Sequence, residues 1–183
     1  MKNINEVCVI IQARLGSQRV PQKMIKPFAQ TTLTDIALEK IKQCKAFPLK
    51  NFYLSAWESE LRNIAEKHNL NVFHRSEKSA KSEGTPMTEM YEWWDKLPFK
   101  YCVLVNGCTP FLKTETVDNF VKAYMNSDSD GLFGVIEKKN YFWDHNRDLL
   151  TPLTEAVMNT KTAKPMFEAA HWQFNMAESL YGY

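Results

Sequence analysis

The sequence predicts an α/β protein built on an open, mostly parallel sheet flanked by helices. Three observations carry that expectation. Short apolar runs alternate with amphipathic segments for most of the chain. The first run, "EVCVIIQA" at 6–13, is apolar almost throughout rather than every second residue, as a central strand buried on both faces requires. The segments between runs are long enough for helical crossovers, which favours parallel pairing.

The elements follow in order. Residues 32–44, "TLTDIALEKIKQC", space Leu33, Ile36, Ala37, Ile41 and Cys44 as one helical face. "NFYLSA" (51–56) reads as a second strand. "ESELRNIAEKHN" (58–69) reads as a helix with Leu61, Ile64 and Ala65 inward and Asn69 or Asn71 as its stop. "NVFHR" (71–75) is a short third strand. Residues 85–97 are predicted as a helix with Thr85 as cap and Pro86 in its first turn, carrying Tyr91, Trp93 and Trp94 as core packing. "KYCVLVNG" (100–107) is another buried strand. Residues 113–126 form a helix capped by Thr114, with Val117, Phe120, Val121 and Tyr124 inward. Residues 130–138 are again a strand. After Lys138 the rhythm fails. Residues 139–165 are polar and aromatic together, a candidate dimerisation or lid excursion that includes Tyr141, Phe142 and Trp143. "FEAAHWQFNMAESL" then suits a strand or a helix equally. As a strand it would direct His171 and Gln173 the same way, toward a sugar pocket.

Bulk properties narrow the function. The 183 residues fit a single domain, 1–183, and 44% hydrophobic against 24% charged is a folded composition. A net charge of +2 gives no basis for general nucleic-acid binding. Cys8, Cys44, Cys102 and Cys108 form no CxxC pair, and Cys8 and Cys102 lie in apolar runs, so buried thiols are expected rather than a zinc site. The apolar start is too short for a signal peptide, and no stretch approaches the roughly 20 apolar residues of a membrane span. A soluble, cytoplasmic protein without membrane partners is the expectation.

Charge is concentrated at one place. Arg14, Arg19, Lys23 and Lys26 follow the first strand, and no Asp or Glu occurs between Glu6 and Asp35. In an open parallel sheet ligands bind beyond the carboxyl ends of the strands, which is where this loop lies. Gly16 permits close backbone approach, and N–H groups near Gly16 and the Ser17 hydroxyl suit phosphate oxygens. Arg14 and Arg19 can bind oxygens bidentately, Lys23 adds a point charge, and Pro21 stiffens the loop. A solvated basic loop is the alternative, but four cations without an acid directly after a buried strand favour an anion site. No second glycine occurs before position 84, so neither GxxxxGK[ST] nor GxGxxG is present. In the later loop "NGCTPF", Asn106 and Thr109 belong at the same sheet edge and offer groups for sugar hydroxyls, or simply make the turn. Asp128 and Asp130 in "NSDSDG" suggest a plain turn. An EF-hand would need Glu where Lys139 stands.

"ARLGSQRVPQKMIKPF" resembles the signature loop of the cytidylyltransferases that activate acidic sugars, of the acylneuraminate and spore-coat polysaccharide types. The matching skeleton is Ala13, Arg14, Gly16, Ser17, Arg19, Pro21 and Lys23. The likeness extends in layout to about residue 175. It implies a Rossmann-like nucleotide-diphospho-sugar transferase architecture. It also implies transfer of CMP from CTP to a sugar acid of the sialic-acid-like nonulosonate class, with release of pyrophosphate, for surface glycans. Arg14 and Lys23 would be catalytic. Ala13, Arg14, Gly16, Ser17, Arg19, Lys23 and Arg75 would hold the nucleotide. Asn106, Thr109, His171 and Gln173 would hold the sugar. Mg²⁺ as cofactor and a homodimer are further implications. For Arg75, an exposed arginine at a strand end is the competing reading.

The family pattern continues into a C-terminal part with metal-binding aspartates, whereas the acids here after Lys161 are Glu168 and Glu178. Met24 stands where the sialate branch has Asn, and Trp57 and Glu58 stand where an Asp is frequent. A non-catalytic nucleotide- or sugar-binding relative therefore stays open as a second reading, and a metal-dependent glycosyltransferase as a third.

Overall fold

The computed structural model of the chain describes residues 2–81, 85–152, 159–169 and 174–178. Among them the elements run β1 (Val7–Gln12), α1 (Leu33–Gln43), β2 (Phe52–Ala56), α2 (Ser59–Lys67), β3 (Asn71–His74), α3 (Glu77–Ala80), α4 (Met87–Met90), β4 (Tyr101–Val105), α5 (Thr114–Met125), β5 (Gly131–Phe133), β6 (Val135–Lys138), β7 (Met166–Ala169) and β8 (Phe174–Glu178). The main sheet has the order β3-β2-β1-β4-β8-β5. β1 pairs in parallel with β2 and β4, and β2 with β3. The predicted open parallel sheet is therefore present, with β8 added antiparallel to β4, Val105 opposite Phe174.

The chain divides into two compact units, Met1–Leu132 with Trp172–Tyr183, and Phe133–His171. In the second, β6 and β7 pair antiparallel, Val135 opposite Ala169. Within that unit Phe142 N–H donates to Thr151 Oγ1 at 3.0 Å, and the buried Thr151 hydroxyl donates to Asn140 O at 3.0 Å.

β1 is apolar almost throughout because both its faces are covered. Val7, Val9 and Ile11 meet Leu38 and Ile41 of α1, Leu61 and Ala65 of α2, and Val117, Val121 and Tyr124 of α5. Cys8 and Ile10 face the other way, against Trp93 and Cys102. Cys8 and Cys102 are register partners with sulfurs 3.2 Å apart, and all four cysteines are free thiols. The hydrogen bond with Cys102, and then burial, push the Cys8 thiol far up, so it stays protonated.

Helix ends follow their chemistry. Thr32 caps α1, accepting from Asp35 N–H at 3.1 Å and donating to the Asp35 carboxylate at 2.6 Å. His68 then joins α2 to α1, its two ring nitrogens each 2.9 Å from Asp35 and Glu39. Asn69, at φ 56°, stops α2 in the left-handed region that Asn tolerates.

Three expectations need correction. The helix predicted at 85–97 is one turn, α4, with Pro86 as its N-cap. Thr85 instead donates its hydroxyl to Lys78 O at 3.2 Å. Tyr91, Trp93 and Trp94 all pack in one cluster, which one helix face cannot achieve at that spacing, so the chain leaves helical geometry at Tyr91. The cap of α5 is Lys113, not Thr114, without a side-chain bond to the helix. Residues 130–138 are not one strand: β5 and β6 flank Gly134 and belong to different sheets.

A tight turn closes the first loop. Phe28 and Thr31 exchange backbone bonds of 2.8 and 3.0 Å around Ala29 and Gln30, whose φ values are 47° and 64°. Two consecutive positive φ angles suit Asn-Gly, not Ala-Gln. The double change Ala29→Asn with Gln30→Gly should stabilise the protein by about 1 kcal/mol. Thermal unfolding should then shift upward by roughly 2–4 °C.

Candidate functional site

The carboxyl ends of β1, β2, β3 and β4 gather the loops that hold the predicted site residues. Ala13 is buried, and its N–H donates to Ser55 O at 3.0 Å, so β1–β2 pairing continues one residue past the strand. The chain then turns. Leu15 O accepts Ser17 N–H at 2.8 Å and Gln22 N–H at 3.3 Å, and Gln22 has φ 53°. The Ser17 N–H is thus used within the turn. Gly16 and Arg19 are exposed, and Ser17, Arg14 and Lys23 are half-buried. Among the described residues no carboxylate forms an ion pair with Arg14, Arg19, Lys23 or Lys26. Cations held together without counter-charge make a local positive potential that attracts an anion.

Both ends of the loop are anchored. At the far end Met24 is buried, and its carbonyl accepts Thr34 N–H at 3.1 Å and Thr34 Oγ1–H at 2.7 Å. Its side chain lies against Gly107, where a Cβ would come within 3.0 Å of Met24 Cε and 3.2 Å of Ile11 Cγ2. The absent side chain at Gly107 therefore lets the β4–α5 loop approach the cationic loop, and Cys108 Sγ sits 3.7 Å from Met24 Sδ. At the near end Leu15 N–H donates to Glu58 Oε1 at 2.7 Å, and Arg14 Nη1 donates to Lys81 O at 3.1 Å.

Asn106 and Thr109 lie in that adjoining β4–α5 loop. Asn106 Oδ1 accepts Cys108 N–H at 2.8 Å, and Thr109 Oγ1 donates to Asn106 O at 2.6 Å, which is turn chemistry. Lys40 of α1 donates to Thr109 O at 2.6 Å, and burial pulls its pKa below the usual lysine value. Nothing in the sequence pattern distinguished Lys40 from a surface lysine.

Arg75 is not an exposed arginine at a strand end: it is only 2% exposed. Its Nε donates to Ser79 Oγ at 2.9 Å, and Nη2 reaches the carbonyls of Ser79 and Met90. Burial, then the nearby Arg14 charge, lowers its pKa to about 10, against opposing pulls from Glu92 and Glu58, so it is charged at neutral pH. Arg14, Glu58 and Arg75 thus share one electrostatic neighbourhood. His74 faces Arg62 at 2.9 Å on the surface. His171 and Gln173 lie outside the described residues.

Among the described residues no group of three or more His, Cys, Asp or Glu could hold a metal ion. The carboxylate beside the cationic loop, Glu58, is engaged by Leu15. These side chains do not compose a Mg²⁺ site of their own. Asp130 occupies the turn before β5, where its carbonyl accepts Tyr124 O–H at 2.9 Å.

A parallel sheet with an anchored loop beyond its central strand, its cations without ion-paired carboxylates among the described residues, is the arrangement of the Rossmann-like nucleotide-handling folds. The chain belongs to the cytidylyltransferase family, whose model matches residues 8–179. It is 27% identical over 160 residues to the spore coat polysaccharide biosynthesis protein SpsF of Bacillus subtilis, covering 79% of this chain and 64% of that one. It is 28% identical over 136 residues to the 3-deoxy-manno-octulosonate cytidylyltransferase of Rickettsia felis, covering 72% and 52%. The chain thus spans between about half and two-thirds of these curated relatives. In fold it is similar to a CMP:2-keto-3-deoxy-manno-octonic acid synthetase complexed with CTP, at TM-score 0.66 and 11% identity over 94% of this chain and 74% of that one. A 4-diphosphocytidyl-2C-methyl-D-erythritol synthase from Anaerococcus prevotii superposes at TM-score 0.64 and 13% identity, over 94% and 70%. Among the described residues no helix is long and apolar enough to cross a membrane.

Proposed function

We propose that the chain transfers CMP from CTP to an acidic sugar with release of pyrophosphate. The observation that carries this reading is the cationic loop, anchored at both ends and free of ion-paired carboxylates among the described residues. In the reaction a sugar hydroxyl attacks the α-phosphorus and gives up its proton to solvent, the new O–P bond forms, the bond to the β-phosphate bridging oxygen breaks, and charge grows on pyrophosphate. Arg14, Arg19 and Lys23 are suited to neutralise that charge. The Ser17 hydroxyl and the backbone at Gly16 would orient the phosphates, Ala13 would border the nucleoside, and Asn106 and Thr109 would meet the sugar. Arg75 serves this reading by ordering the segment that receives Arg14.

The sugar is an ulosonic acid, of which the nine-carbon sialic-acid-like nonulosonates are one type and the eight-carbon octulosonate named for the Rickettsia relative another. Mg²⁺ is required for charge reasons and would travel on the triphosphate and its waters. A homodimer and a cytoplasmic setting with reduced thiols complete the proposal. The lack of a carboxylate cluster among the described residues favours, as second reading, a relative that binds nucleotide without turning it over.

Thermal shift with CTP, ATP, GTP and UTP, followed by pyrophosphate-release assays on a panel of sugar acids, separates the readings. CTP should raise the unfolding temperature most, because a ligand that binds only the native state stabilises it. CTP binding with no turnover of any sugar acid supports the binder. Transfer or hydrolysis from a nucleotide-sugar supports a glycosyltransferase. No CTP response in the wild type sinks both cytidine readings.

A further inference from the structure

Glu58 departs from what its position demands. It is the N-cap residue of α2, where a side chain ordinarily accepts from the second or third amide of its helix. Here it makes no such bond. Its carboxylate turns instead to the loop after β1, and Oε1 accepts Leu15 N–H at 2.7 Å. The second oxygen, Oε2, is buried with no hydrogen-bond partner. A helix left without its cap and a buried carboxylate oxygen left without a donor are two costs at one residue. They need a compensating purpose, and the bond to the loop offers one.

The geometry of the loop supplies that purpose. The Leu15 carbonyl is the acceptor for both Ser17 and Gln22, so the Leu15 peptide is the pivot of the turn. The N–H that Glu58 receives belongs to the Arg14–Leu15 peptide, so the bond orients the Arg14 backbone and, across the Leu15 Cα, the Leu15–Gly16 peptide whose carbonyl makes the turn. Thr34 holds the opposite end through Met24. Residues 16–23 lie between these two anchored points. Glu58 also lies close enough to act electrostatically on buried Arg75, a separate effect that the glutamine variant removes while keeping the bond.

We infer that Glu58 is a positioning residue of the cationic loop: its hydrogen bond to Leu15 N–H sets the loop in the form that receives a polyphosphate. This rests on the polyphosphate reading of the loop. Contact with the ligand is made by the loop, and Glu58 acts through Leu15.

The test compares E58A, E58Q and E58D for affinity toward inorganic tripolyphosphate and CTP by calorimetry. Amide exchange at Leu15 and the unfolding temperature are read alongside. E58Q keeps an oxygen acceptor for Leu15, E58A removes it, and E58D withdraws it by one methylene. E58A and E58D should weaken both ligands by about tenfold and speed Leu15 exchange, while E58Q stays within about threefold of wild type. If E58A does not fold, E58D carries the same expectation. A purely structural role at the start of α2 gives a lowered unfolding temperature with affinity intact, which overturns the inference. So does E58Q losing as much affinity as E58A, because charge rather than the bond would then matter. Wild type binding neither probe overturns the polyphosphate reading itself, whereas wild-type binding with E58A and E58D unchanged overturns the role of Glu58 alone.

Discussion

Arg14→Ala and Lys23→Ala should each lower kcat/KM for pyrophosphate release from CTP by about 100-fold, close to 2.7 kcal/mol of transition-state stabilisation. The unfolding temperature should move by no more than about 2 °C, because neither side chain belongs to the core and surface substitutions cost little. The two losses should differ in form. Arg14 is held on one side by Lys81 O, so its guanidinium is oriented before ligand arrives, and its removal should raise KM as well as lower kcat. Lys23 has its backbone fixed through N–H to Val20 O at 3.3 Å and through its neighbour Met24. In the proposed reaction its ammonium would act as a point charge on the leaving pyrophosphate, so its removal should fall mainly on kcat. Arg14→Lys separates charge from fork: partial recovery indicates charge, and none indicates bidentate geometry. Steady-state kinetics over a range of CTP concentrations reads all of this. A wild-type kcat/KM in both alanine variants would remove the loop from the reaction.

The expectation behind that result was legible because the signal is local. An apolar strand and a run of cations without acids lie within one short stretch, and the rule that ligands sit beyond strand carboxyl ends then places the loop. The parallel strands were legible for the same reason: β1 and β4 are buried on both faces, so their apolar runs are nearly continuous. What was not legible depends on partners distant in sequence. Glu58 reads as a helix-opening residue, and only the fold shows its carboxylate bonded 43 residues back. Lys40 reads as one of several helix lysines, and only the β4–α5 loop explains its burial. β8 has the same handicap. It is a strand because β4 offers an unpaired edge, and nothing in its own composition decided between strand and helix. The helix predicted at 85–97 failed because helical propensity yielded to the burial of Trp93, whose indole N–H finds Gln12 Oε1 at 2.7 Å.

Arg75→Ala should be the most destabilising single change near the site, by roughly 3 kcal/mol, because it removes a buried, charge-assisted donor and strands its acceptors. For a chain of this length that is a fall of about 6–12 °C in unfolding temperature. The guanidinium joins three points: its own place after β3, Ser79 at the end of α3 and Met90 at the end of α4. Ser79 Oγ in turn donates to Met90 O at 3.1 Å. Without Arg75 the Ser79 and Met90 carbonyls would face one another without a shared donor fork. Lysine keeps the charge but supplies no planar fork, so Arg75→Lys should recover less than half of the loss. The consequence reaches the loop as well. Lys81, two residues beyond Ser79, provides the carbonyl that receives Arg14. Loosening α3 therefore withdraws the support of Arg14, and CTP affinity should fall even at temperatures where the variant remains folded. Calorimetric CTP titration well below the variant's unfolding temperature checks this. Affinity equal to wild type there would confine Arg75 to stability. Loss of affinity in Arg75→Ala that adds nothing to the loss in Arg14→Ala, in a double-mutant cycle, would show the two arginines acting through one chain of bonds.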